Sequence, residues 1–165
     1  MSTSLPTSSR QGFTMIELIV VIGIIIVVFG GGISAYLRLD RRQSLINVCR
    51  EIEHLARSAQ KKARVGERPA GCTRLNAYRL ARTSTAPDVI TLSAVCESGQ
   101  VTVSSYEVPT LYTVESIPTV NFRVLHGGLD SSNALIQVAS TGPNYRCSFT
   151  IENGGSMTNT TVVMY

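Results

Sequence analysis

The chain has 165 residues, a net charge of +4, and 44% hydrophobic against 16% charged residues, a balance that allows one folded domain plus an appended segment. Its four cysteines (Cys49, Cys72, Cys96 and Cys147) form no CxxC pair, which argues against a zinc ribbon or a thioredoxin-like site. No phosphate loop, metal-ligand spacing or nucleophile motif occurs, so neither an enzyme nor a bound cofactor or metal is expected.

Residues 1–12, MSTSLPTSSRQG, are polar, with Arg10 as their one charge. They lack the apolar core that a secretory signal peptide carries ahead of its cleavage site. The apolar run follows at 13–37, FTMIELIVVIGIIIVVFGGGISAYL, in which Glu17 is the single charged residue. As a helix this run measures about 37 Å, enough to cross a hydrocarbon core of roughly 30 Å. A transmembrane helix is therefore expected over 13–37. Glu17 is costly inside it unless it snorkels to the interface or finds a cationic partner. Gly30, Gly31 and Gly32 mark either a weak point of the helix or a surface for close helix packing.

Gly12-Phe13-Thr14 followed by Glu17, within GFTMIEL, resembles the prepilin signature of type IV pilins and type II secretion pseudopilins. Met15 stands where Leu is usual. The resemblance implies that prepilin peptidase cuts between Gly12 and Phe13 and that Phe13 becomes the N-methylated mature N-terminus. It also implies that Glu17 neutralises the Phe13 ammonium of a neighbouring subunit, although pairing with Phe13 of its own chain, one helical turn away, is equally open. The implied partners are other pilin or pseudopilin subunits, the peptidase and an inner-membrane assembly platform. The implied location is a single pass through the bacterial inner membrane, head outside the cytoplasm, and then a pilus or pseudopilus. Arg38, Arg41 and Arg42 beyond the helix, against Arg10 before it, oppose that orientation by the positive-inside rule. The even cysteine count favours it.

Over 38–65 an amphipathic half-helix is expected. Leu45, Val48, Cys49, Ile52, Leu55, Ala56, Ala59 and Ala63 recur at three- and four-residue steps, and Gly66 and Pro69 stop the pattern. The head, 66–165, reads as strands at 76–81, 89–95, 101–108, 119–125, 134–139 and 146–151. Turn clusters at Ser84-Thr85-Ala86-Pro87, Gly127-Gly128, Gly142-Pro143 and Asn153-Gly154-Gly155 separate them. The expected fold class is α+β: a long N-terminal helix, membrane half plus amphipathic half, packed against an antiparallel β-sheet head. That is a pilin-like architecture. VNFRVLHGG, ALIQVAS and CSFTIENGG resemble the late strands of the H-type pseudopilin and FimT-type minor pilin group, and LARSAQKKA resembles the helix segment before its sheet.

Cys72 and Cys96 lie equidistant from a turn near Ser84, so antiparallel pairing would place them opposite one another at disulfide distance. Cys49 on the helix stripe and Cys147 on a strand either form a second bond or remain two buried thiols. Charge is uneven: residues 38–82 hold twelve basic and four acidic residues, and 83–165 hold two and six. Within the basic part, Arg57, Lys61, Lys62, Arg64 and Arg68 form a cluster that suggests DNA capture as an alternative function. Oppositely charged faces of stacked subunits, or a solvated helix face, account for the same asymmetry.

Overall fold

The computed structural model describes residues 12–85, 87–142 and 145–164, with the side chains at 31–35 and 38 outside the description. The leader expected over 1–12 is therefore described only at Gly12. Ala86 and Pro143, and the side-chain surroundings of Gly31, Gly32 and Arg38, also lie outside the described residues.

One α-helix and eight strands make up the described chain. Helix α1 runs Met15–Val65 over 51 residues. It is followed by β1 Leu75–Thr85, β2 Asp88–Cys96, β3 Gly99–Glu107, β4 Tyr112–Ser116, β5 Val120–Arg123, β6 Ala134–Ser140, β7 Tyr145–Ile151 and β8 Thr161–Met164. The chain divides into two compact units, Met1–Asp40 and Arg41–Tyr165. The first contains the apolar part of α1, where Leu18, Ile19, Ile22, Ile25, Ile26 and Phe29 are all exposed. Exposure of apolar side chains on every face marks a helix made for lipid or for burial in an assembly. Among the described residues no helix is long and apolar enough to cross a membrane. The apolar stretch with described side chains, 15–30, is shorter than the ~20 residues a spanning helix requires.

In the second unit the helix buries one stripe. Leu45, Cys49, Ile52, Ala56, Ala59 and Ala63 are fully inaccessible and Val48 nearly so, while Leu55 packs at the margin. Three small alanines along the contact let the sheets approach the helix closely. The helix ends in a Schellman turn. Gly66, at φ 67°, donates its N–H to Ala63 O, and Glu67 donates to Lys62 O. Leu125 N–H also donates to Ala63 O at 2.8 Å, which ties the connection after β5 to the end of the helix.

The expected single sheet is two sheets, each of four strands, in the orders β3-β2-β1-β5 and β4-β6-β7-β8. The six expected strands already divide between them, because β5 pairs with β1 and β6 with β7; β4 and β8 are two strands beyond those six. β4 carries a legible alternation, with Tyr112 and Val114 buried and Thr113 and Glu115 exposed. β8 has four residues and no such alternation, and it is a strand because β7 offers it a ladder. Both sheets meet the helix stripe in one core, where Tyr78, Phe122 and Phe149 are the largest fully buried side chains.

The two sheets are tied by an ion pair of a half-buried arginine and a buried aspartate. Arg82 of β1 pairs with Asp88 of β2, Asp88 Oδ2 accepts the Val114 N–H at 2.9 Å, and Arg82 donates to Val114 O at 3.1 Å. Both partners thus reach the backbone of β4 in the other sheet. Bonding to the backbone of β4 from both partners fixes where the two sheets meet.

On the helix, Gln60 Nε2 donates to Gly127 O at 3.1 Å and to Gly155 O at 2.6 Å. One amide therefore pins two glycine turns from different strand connections. Gly155 has φ 85°, and a Cβ there would lie 2.2 Å from Gln60 Nε2 and 2.4 Å from Gly127 O, so only glycine fits. Gln60→Ala is expected to lower unfolding free energy by about 2 kcal/mol, since each lost bond is worth roughly 1 kcal/mol. Urea titration of the full chain in detergent checks it, and an unchanged midpoint would show that the turns hold without the helix.

Candidate functional site

The signature residues sit at the start of α1. Gly12, Phe13 and Thr14 precede the helix, and Glu17 lies in its first turn. Glu17 N–H donates to Thr14 Oγ1 at 3.3 Å, making Thr14 the N-cap. Thr14-Met15-Ile16-Glu17 has the spacing of a capping box, a local reading that the emphasis on Glu17 as an intramembrane charge passes over. The cap sets where the helix begins and so keeps Phe13 immediately outside it. Among the described residues, no hydrogen bond or ion pair engages the Glu17 carboxylate.

The surroundings of that carboxylate are apolar and exposed. Phe13 is 81% accessible, Met15 83% and Ile16 72%. An exposed carboxylate ringed by exposed apolar side chains is a surface for association. The positive end of the helix dipole lies at the same end of α1. In a low-dielectric environment the remaining requirement is a cation at close range.

The cysteines are all bonded. Cys72 is joined to Cys96, with Cα atoms 5.5 Å apart, and Cys49 to Cys147, with Cα atoms 6.6 Å apart. The second bond links the helix stripe to β7. The first does not arise from the expected register. Leu75, not Cys72, lies opposite Cys96, because β1 continues to Thr85 and the β1–β2 connection falls later than Ser84. Irregularities at Leu75/Ala77 and Arg82/Ser84, each an extra residue in β1, move the ladder back by two residues and leave Cys96 opposite Leu75. Cys72 reaches its partner from the loop before β1.

The basic cluster is partly engaged within the chain. Arg57 pairs with Glu53, Lys62 with Glu67, and Arg68 donates to Thr73 O at 3.3 Å. The Arg64 side chain lies over Gly127, where a Cβ would overlap it; Lys61 is exposed. Two of the five positive charges are thus countered by carboxylates, which weakens the field available to a phosphate backbone. Burial raises the Glu53 pKa, but hydrogen bonds from Thr160 and Arg57 and the Arg57 and Arg50 charges outweigh it, and the net shift is downward. Glu53 therefore stabilises the fold above its ordinary value near 4.5, and this contribution is lost as pH falls through the lowered folded-state value.

The family model described as the prokaryotic N-terminal methylation motif matches residues 7–33. No curated protein and no solved structure matches the chain. The matched span covers the leader side, Gly12, Phe13, Glu17 and most of the apolar run, so the motif and the capped, exposed helix start coincide. The chain carries the N-terminal methylation motif that marks type IV pilin-like and pseudopilin proteins.

Proposed function

We propose that this chain is a minor pilin or pseudopilin, a structural subunit of a type IV pilus or a type II secretion pseudopilus. Prepilin peptidase removes residues 1–12, Phe13 becomes the methylated N-terminus, and 13–37 anchors the subunit in the inner membrane. During assembly the helix leaves lipid and packs among the helices of its neighbours. Glu17 then faces the Phe13 ammonium of an adjacent subunit.

The observation that carries this reading is the Glu17 carboxylate, unengaged among the described residues and set in an apolar helix surface four residues from the cleavage position. Two disulfides in the head support a location outside the cytoplasm. The H-type and FimT-type resemblance favours a minor subunit. Its segments VNFRVLHGG and CSFTIENGG contain β5 and most of β7 with their glycine turns, which Gln60 joins to the helix.

Intact-mass analysis of the protein from membranes or sheared filaments tests the proposal. The expected species begins at a methylated Phe13. A mature polypeptide that retains Met1 through Gly12 would overturn it, because no ammonium would then stand beside Glu17.

A further inference from the structure

Resting on the membrane-anchored reading, we propose that the end of the head that carries Arg41 is a lipid-docking surface: Leu111 and Met164 meet the bilayer interface while Arg41 and Arg42 bind anionic headgroups. Strand pairing places the parts. Tyr112 opens β4 opposite Ser140, where β6 ends, and Tyr145 opens β7 opposite Met164, where β8 ends. Leu111, the β6–β7 turn and Met164 therefore share one end of the β4-β6-β7-β8 sheet. Arg41 joins them, lining a depression of about 260 Å³ with Leu111, Tyr112, Ser140, Thr141 and Gly142.

The apolar tip is held rigidly. Leu111 is 67% exposed and Met164 74%, whereas the neighbouring Val108 and Tyr112 are buried. Tyr112 N–H donates to Pro109 O, and Leu111 O accepts both the Thr141 N–H at 3.0 Å and the Thr141 hydroxyl at 2.8 Å. A leucine whose backbone is fixed by three turn bonds and whose side chain faces outward is preorganised for contact. Arg41 and Arg42 are exposed and follow directly on the apolar run, Arg41 by four residues, so covalent continuity holds them near headgroup level. Asp40 is the one acidic residue among 38–42. Each basic side chain near an anionic surface strengthens attraction about fivefold, and salt weakens it. This combination of exposed apolar tip and flanking arginines fits an anionic lipid surface rather than a second protein, which would leave both arginines needing carboxylates.

The chain contains no tryptophan, so a single introduced indole reports its own site. Full-length Leu111→Trp is reconstituted into phosphatidylcholine vesicles with or without phosphatidylglycerol, and Val65→Trp, at the helix C-terminus, serves as the comparison. The expected result is blue-shifted emission from the indole at position 111, quenched by bromine-substituted lipid, only with phosphatidylglycerol. High salt or the added pair Arg41→Ser/Arg42→Ser should abolish the shift, and the indole at position 65 should stay water-exposed throughout. Chain that pellets with vesicles but shows water-exposed emission at position 111 overturns the docking alone. Chain that fails to associate with vesicles overturns the anchoring reading and the docking together.

Discussion

Glu17→Ala is expected to leave the leader removed and the head folded, yet to abolish incorporation into filaments. Cleavage depends on the residues around Gly12 and Phe13, and position 17 lies outside the unit that holds the head core. Thr14 still caps the helix, because the bond it accepts comes from the backbone N–H of residue 17. What the variant lacks is the one negative charge in the apolar run. Each incorporated subunit would then bury the Phe13 ammonium of its neighbour without a partner, and breaking a buried pair in this way costs about 3–5 kcal/mol. Repeated at every interface, that cost removes the reason to leave the membrane. Immunoblots of sheared filaments against membrane fractions check it. Normal incorporation of a correctly cleaved variant would exclude the ion-pair role and leave Glu17 with its capping position alone.

The second large effect concerns the head. Replacing both Cys49 and Cys147 by alanine opens a bond with a sequence separation of 98 residues, for which the chain-entropy argument gives a loss of about 4–5 kcal/mol. Cys72–Cys96, with a separation of 24, nests inside the larger loop and shortens it by about a quarter. The cost varies with the logarithm of length, so this trims the figure only slightly. Removing the nested bond instead should cost about 3 kcal/mol. Thermal or urea unfolding of the three proteins in the same detergent gives the order. A larger loss from the shorter loop would show that Cys72–Cys96 secures the segment before β1 by native contacts rather than by restricting the unfolded chain.

Much of the helix is legible in the sequence alone. The period of Leu45, Cys49, Ile52, Ala56, Ala59 and Ala63 is a local property, and these residues are fully buried. Gly66 marks the helix end because only a left-handed residue completes the Schellman turn. The strand pattern is less legible. Alternation marks β1, β2 and β6, whereas β4 is short and hidden between Pro109 and Pro118 despite Tyr112 and Val114. Register fails for a different reason: the β1–β2 turn is centred between Thr85 and Asp88 rather than at Ser84, and two irregularities in the ladder recover only part of that offset, and bulges leave little trace in composition. At the candidate site, the carboxylate and the cleavage position stand out in the sequence. The capping role of Thr14 is equally readable from T-x-x-E, but the rarity of a charge in an apolar run overshadows it.

By itself, the sequence determined the elements whose causes are local. These are an apolar rod with one carboxylate, a continuous helix with a buried stripe, and a head of short strands separated by turn residues. Tertiary structure alone decided that the strands form two sheets, that Arg82 and Asp88 of one reach the backbone of the other, and that Gln60 gathers two glycine turns. It also decided that Leu111, Met164 and Arg41 share one end of the head. Such features join residues far apart in the chain, and their energies come from geometry that exists only when several elements have already packed.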